Sequence, residues 1–241
     1  MRSLYDTILK NLPGDQKVEE LIQGKYWTMA KLGSGCSGIA MTTEGDSIPP
    51  HLGEFSEIPQ KEAAAAIESW NFPEASSAMA VINACYNTMD RLRSLNCYEP
   101  FENYCTKGLD LTGKTVGLIG HLGMPKDTLH LVRDVFILEK SPQPGDYPDS
   151  ACEYLLPKCD VVLITGSSLI NKTLPRLLEL SRKAYTIVTG PTVPMCPELL
   201  NHNIQRLAGM VVSDESGMKL HTEKNLSGPP YSYGTTFLLK E

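Results

Sequence analysis

The feature that most constrains this chain is the alternation of short apolar runs with amphipathic pieces in its second half. Strand candidates are Thr115–Ile119, Val135–Leu138, Asp160–Ile164, Thr186–Val188 and Met210–Val212, with helical pieces at Asp149–Leu156 and Thr173–Arg182. Strands that are apolar on both faces belong in a parallel sheet covered on both sides, and the βα alternation supplies the cover. The expected architecture is α/β, with a Rossmann-like, doubly wound sheet over residues 113–241.

The first half has a different pattern. A helix is expected over Ser3–Leu12, ended by Pro13-Gly14. A hairpin follows, with Tyr26–Ala30 and Cys36–Met41 flanking the turn Gly33-Ser34-Gly35. Two helical segments, Gln60–Trp70 and Glu74–Met89, come next. The second carries Ala75, Ala78, Met79, Ile82 and Tyr86 at helical spacing. Residues 1–96 therefore form a smaller α+β unit. Residues 97–112 have no clean period, contain Pro100 and Gly108, and are expected to connect the two domains. The aromatic side chains Tyr98, Phe101 and Tyr104 in that connection suit core packing or a homodimer interface. The segment Lys224–Glu241, with its Gly228-Pro229-Pro230 turn, reads as a lid or an inert tail.

Composition narrows the function classes. Hydrophobic residues are 41% and charged residues 21% of 241, as in ordinary globular proteins. The 22 Lys and Arg against 28 Asp and Glu leave a net charge of −6, which argues against a nucleic-acid partner. No run approaches the ~18 apolar residues of a membrane span, and Asp6 and Lys10 exclude a secretory signal. The seven cysteines, at positions 36, 85, 97, 105, 152, 159 and 196, are an odd number without regular spacing. They read as free thiols in a reducing compartment, the cytoplasm.

Ligands of open parallel sheets bind at the carboxyl ends of the strands, so the residues just after each strand are the candidates. These are Gly120-His121-Leu122-Gly123, Glu139-Lys140, Thr165-Gly166-Ser167-Ser168 and Gly190-Pro191-Thr192. Small turns of this kind expose backbone N–H groups and form anion cradles. Glycines at 117, 120 and 123 do not make the G-x-G-x-x-G fingerprint. Glu139 nevertheless stands where a Rossmann acid grips ribose hydroxyls, or else it caps the rim beside Lys140. His121 suits a general base, a metal ligand or a partner for the backbone. Asn171 or Thr173 suits the N-cap of the following helix, a position that is also compatible with an anion site. There is no C-x-x-C, H-x-x-x-H, H-E-x-x-H or G-x-S-x-G motif. A metal site, if present, is assembled from distant positions, such as His121 with Glu139 or a thiol.

The segments TVGLIGH, LEKSPQPGDYPD, CDVVLITGSSLINKTLPRLLELSR, TIVTGPTVPMCPELL and LAGMVVSD resemble the "Putative heavy-metal chelation" family. YWTMAKLGSGCSGIAMT and FPEASSAMAVINA resemble the N-terminal domain that accompanies it. The resemblance implies an enolase-N-terminal-like α+β domain packed on a Rossmann-like domain, with a site between them. It places motif positions at Gly120, His121, Glu139, Thr165, Gly166, Asn171, Thr173, Gly190, Pro191 and Thr192, and adds Asn83 from AVINA. Leu122-Gly123 departs from the aromatic and proline expected after His121. The implied ligand is a small anionic metabolite or metal chelate, with a transition or heavy metal ion as the associated cofactor.

Together these features lead to a protein whose interdomain cleft binds or processes such a ligand, in a role tied to heavy-metal chelation. His121 and Glu139 are the catalytic candidates, and the remaining motif positions bind. The alternatives are a nucleotide- or adenosylmethionine-using enzyme with ribose on Glu139, and a metal-storage partner without turnover.

Overall fold

The computed structural model describes residues 2–95, 98–101 and 105–240, the side chains of residues 2 and 3 excepted. Cys97 and Tyr104 lie outside the described residues. The chain opens with α1 (Arg2–Lys10) and an antiparallel sheet of β1 (Val18–Gln23), β2 (Trp27–Leu32) and β3 (Ser37–Met41). Then follow α2 (Gln60–Ala65), α3 (Phe72–Tyr86) and α4 (Met89–Ser94). The expected hairpin is β2–β3, and β1 adds a third strand beside β2. The helix expected over Gln60–Trp70 is shorter: it tightens to a 3-10 turn at Ala66–Glu68, and Trp70 lies outside it, 55% exposed. The helix expected over Glu74–Met89 ends at Tyr86, where Asn87 leaves helical geometry and Thr88 caps α4.

The central helix α3 is buried on nearly every side. Asn71 caps it by accepting from the Glu74 amide at 2.9 Å, and Pro73 stands in its first turn, where no N–H is needed. β3 crosses α3 in direct backbone contact. A β-carbon on Gly38 would overlap the Ala84 nitrogen and the Ala80 carbonyl oxygen. Glycine on the strand and alanines on the helix are what let the two close.

The second sheet has eight strands. They are β4 (Tyr98–Pro100), β5 (Thr115–Ile119), β6 (Asp134–Glu139), β7 (Tyr147–Pro148), β8 (Val161–Thr165), β9 (Tyr185–Thr189), β10 (Arg206–Val212) and β11 (Gly234–Lys240). Their spatial order is β4-β11-β10-β9-β8-β5-β6-β7. From β10 to β7 every pairing is parallel, and β11 and β4 are antiparallel additions at the other edge. The short helices α5 (Lys126–Leu129), α6 (Cys152–Leu155), α7 (Ser167–Ile170) and α8 (Leu174–Leu180), with α9 (Glu215–Glu223), complete the chain. The Asp149–Leu156 segment is broken into 3-10 and α turns around α6 rather than one helix.

Two expectations change. The C-terminal segment is neither lid nor tail: β11 pairs with β10 over seven residues and buries Phe237, Leu238 and Leu239. The connection at 97–112 contributes β4, and its Tyr98 ring packs on Phe237 at 5.8 Å. Phe101, Cys105, Leu109 and Leu111 then cover one face of the sheet with Val116, Leu118, Val161, Leu163 and Ile187. The opposite face, with Val162, Ile164, Val188, Leu207 and Leu239, packs in one core with α1 and α3. Strand alternation sends successive side chains to these two cores. Among the described residues, no helix is long and apolar enough to cross a membrane.

Candidate functional site

The chain runs outward from β5 to β6 and β7, then returns to place β8 on the other flank of β5. That reversal makes the carboxyl ends of β5 and β8 the topological switch point, where open α/β sheets bind ligands. Gly120 ends β5 at φ +99°, and a β-carbon there would sit 3.4 Å from Thr165 Cγ2 and 3.9 Å from Glu139 Oε1. Gly120, His121, Glu139 and Thr165 therefore meet in one place.

His121 is gripped from both ends. Its backbone N–H donates to Glu139 Oε1 at 2.9 Å, and its Nδ1 lies 3.1 Å from the same oxygen. Its Nε2 lies 2.7 Å from Asp146 Oδ2. Glu139 Oε2 accepts from the Lys140 amide at 3.1 Å, and Asp146 Oδ2 accepts from the Gln143 amide at 2.8 Å. The Asp146 side chain is 6% exposed, against 41% for His121. The Gln143 N–H first, then His121, holds the Asp146 carboxyl below its ordinary value. Asp146 carried no sequence signal beyond its place in the quoted LEKSPQPGDYPD stretch.

Next along the strand ends, the Thr165 and Ser167 hydroxyls lie 3.1 Å apart. Gly166 passes so close to the β9 turn that a β-carbon would fall 2.8 Å from Val193 Cγ2 and 3.0 Å from Val193 N. In that turn, after Gly190 and Pro191, the Thr192 hydroxyl accepts from the Met41 amide of β3 at 2.9 Å. Asn83, 1% exposed on α3, donates from Nδ2 to the carbonyls of Ile39 (2.7 Å) and Thr192 (3.0 Å). Its Oδ1 is buried with no partner among the described residues. One turn later Asn87, which the sequence did not single out, donates to Val193 and Met210 carbonyls and accepts from the Met195 amide. These two amides lock the N-terminal unit to the β9 and β10 ends.

Asn171 and Thr173 are not joined to this array by a described contact. Thr173 occupies the N-cap position of α8, but its side chain makes no cap; its hydroxyl donates to Asn171 Oδ1 at 2.7 Å. Lys172 between them has φ +65° and is 8% exposed. Its ammonium donates to the Ile67 carbonyl and sits 5.3 Å from the Tyr5 ring centroid. Desolvation lowers its pKa to about 8. A separate cavity of about 280 Å³ opens between the units, lined by Cys36, Ser37, Asn87, Thr88, Asp90 and Glu215 among others. None of the sequence-predicted site residues lines it.

With this geometry in place, comparison with known proteins is decisive for the family. A family profile described as "Putative heavy-metal chelation" matches residues 108–234, and a companion of the same description matches 5–86. The chain belongs to this family. A solved protein of unknown function from the DUF364 family of Desulfitobacterium hafniense shares 34% identity, over 99% of this chain and 97% of that one, at a TM-score of 0.86. A second from Pyrococcus horikoshii, of unknown function, shares the fold at 22% identity and a TM-score of 0.80, over 99% and 100%. An uncharacterized protein of Methanocaldococcus jannaschii is 37% identical over 70 residues, which is 27% of this chain and 27% of that relative.

The residues do not fit a protein-built heavy-metal cage. Among the described residues, no group of three or more His, Cys, Asp or Glu is placed to hold an ion. Burial pushes the thiols of Cys85 and Cys196 up to about 12 and those of Cys152 and Cys159 to about 11. They stay protonated near neutral pH, and the thiolate is the ligating form.

Proposed function

We propose that this chain binds a small anionic, metal-chelating metabolite at the carboxyl edge of its parallel sheet, against the N-terminal α+β unit. The observation that carries the reading is the convergence of Gly120, His121, Glu139 and Thr165 at the switch point. Gly166, Thr192 and Asn83 continue the array to the other unit. The Thr165 and Ser167 hydroxyls supply polar groups for the anion, and His121 supplies the ring nitrogens beside them. The buried, unpaired Asn83 Oδ1 supports a polar occupant, because such an acceptor costs about 1–3 kcal/mol until it is satisfied.

Metal enters this reading as part of the ligand, held by the ligand's own donor atoms. That agrees with the protonated thiols and keeps the family description compatible with these residues. The ribose alternative is less favoured, since Glu139 already accepts from two backbone amides and its Oε1 lies 3.1 Å from His121 Nδ1. The acidic balance of the chain supports a small-molecule rather than a nucleic-acid partner.

The test is native mass spectrometry with elemental analysis of protein purified without chelator. The expected result is a bound organic mass, with or without metal, that disappears in His121→Ala and Glu139→Ala. A bound mass that both variants keep would move the site elsewhere.

A further inference from the structure

We propose that the amino edge of the large sheet, opposite the edge that holds the candidate site, docks a short carboxylate-rich segment of a partner protein. Parallel strands bring their amino ends to one side, so residues far apart in sequence line up there. In spatial order this edge carries Lys240 on β11, Arg206 on β10, Lys183 before β9, Lys158 before β8, Lys114 before β5 and Arg133 before β6. Lys240 closes an antiparallel strand and lies opposite Arg206, which puts it on the same side. Six neighbouring strands therefore each have a basic residue within three positions of this edge.

Both ends of the row are neutralised. Lys240 Nζ lies 3.1 Å from Glu99, and the Arg133 guanidinium lies 3.3 Å from Asp134 and 3.8 Å from Asp160. The centre is not. Lys183, Lys158 and Lys114 are exposed and make no ion pair among the described residues. Asp110 stands near Lys114, but its carboxylate accepts from the Thr112 amide at 3.0 Å. Exposed Lys107, equally unpaired, adds a fourth ammonium beside Arg206, which donates to the Lys107 carbonyl at 2.8 Å. Arg206 is 6% exposed, and its described hydrogen-bond partners are all neutral: that carbonyl, the Cys105 carbonyl and the Tyr185 hydroxyl. Buried charges are ordinarily paired, and here the counter-charge is left to a partner.

The dimensions select the occupant. Four adjacent strands at about 4.8 Å spacing span about 14 Å, the length of an extended peptide of four or five residues. Glu99 on one side and Asp134 with Asp160 on the other bracket this stretch. They repel a longer polyanion such as a nucleic-acid strand, as does the net charge of −6. A short acidic segment meets the four ammoniums and avoids both brackets. Helix C-termini, which favour cations, account for the basic residues after α6 and α8, but Lys107 and Lys114 follow no described helix. The candidate site lies at the far ends of these strands, about 16 Å away for a five-residue strand, so partner and ligand can be held together.

The experiment is fluorescence anisotropy of a fluorescein-labelled hexaglutamate peptide with the full chain, at low and at physiological salt. Two charge-matched triple variants are compared, each checked for folding by circular dichroism. One is Lys114→Gln/Lys158→Gln/Lys183→Gln at the edge, and the other is Lys61→Gln/Lys126→Gln/Lys224→Gln elsewhere on the surface. Wild type is expected to bind, more weakly as salt screens the charges. The edge variant should lose at least tenfold in affinity, and the control should stay within about twofold to threefold of wild type. No binding to wild type at low salt overturns the proposal, as does an equal loss in both variants, which would make net charge the cause. Tighter binding of an oligothymidylate of the same charge would reassign the edge to nucleic acid. Inorganic triphosphate that binds as tightly as the peptide would reduce it to a small-anion site. Either result refutes the acidic segment as occupant. None of these outcomes bears on the bound mass that tests the proposed site.

Discussion

Replacing Lys172 with methionine should abolish a specific pH dependence of stability. The ammonium sits in a contact between the two units, 8% exposed, with the Ile67 carbonyl and the Tyr5 ring as its described partners. Desolvation lowers its pKa from 10.5 to about 8, against a smaller opposing attraction from Glu68. Because the folded value is depressed, the unfolded chain binds more protons between about pH 8 and 10.5, and stability rises with pH across that window. Below about 8 the cost of burying the charge is fully present and constant. At about 1.4 kcal/mol per pH unit the whole effect is about 3 kcal/mol, of which about 2.5 kcal/mol is recovered by pH 10. Lys172→Met keeps the chain length and removes the charge, while leaving the Ile67 carbonyl without this donor, a loss of about 1–3 kcal/mol. Near pH 7 the two effects offset, so the variant should match the wild type within about 2 kcal/mol. Urea denaturation at pH 7, 8, 9 and 10 measures the difference between the two proteins at each pH. Wild type should gain on the variant by about 2.5 kcal/mol between pH 7 and 10. Parallel pH profiles would refute the argument, because they would mean the ammonium is not desolvated by folding.

Asn87→Ala strands two carbonyls and one amide between the units and should lower stability by about 3 kcal/mol in urea. Asn83→Ala should cost less, since it also removes an oxygen that is buried without a partner. A larger loss for Asn83→Ala would contradict the accounting. Gly38→Ala drives a methyl into the α3 backbone and should lower the melting temperature by about 10 °C or prevent folding, read by circular dichroism. Cys36, half-buried, should react with a thiol reagent in the native protein, while Cys85, Cys152, Cys159 and Cys196 stay protected until denaturant is added. Peptide mapping that finds any of those four labelled first would refute this ordering.

The sequence revealed most where both faces of a strand are buried. In β5, β8 and β9 four of the five residues are buried, and their bounds in the structure lie within a residue or so of those expected. β1 escaped notice because Val-Glu-Glu-Leu-Ile-Gln puts two carboxylates in an edge strand that buries only Val18 fully. β11 was hidden by the Gly-Pro-Pro turn before it, and its antiparallel pairing has no βα signal. For the site, the strand-end rule brought His121, Glu139 and Thr165 to one place without any knowledge of side-chain contact. It had no means of finding Asp146, whose turn shows no period, or Asn87, whose burial depends on how the end of α3 meets the second sheet. Asn171 and Thr173 carry the right chemistry for a ligand, but the backbone between them spends it on a local bond and a buried lysine.

The place of β11 sets the order in which this chain can be built. Phe101 accepts a hydrogen bond from Thr236, 135 residues later. At ~5–20 residues per second, a ribosome needs roughly 7–27 s to deliver that partner after Phe101 has emerged. Throughout that interval β4 has no strand to pair with, and the edge of β10 that β11 will cover stays open to other chains. The β2–β3 hairpin can close early, since its contacts are local. The large sheet is completed only when its last-made strand inserts between β4 and β10, so a stalled or truncated chain carries an adhesive sheet edge.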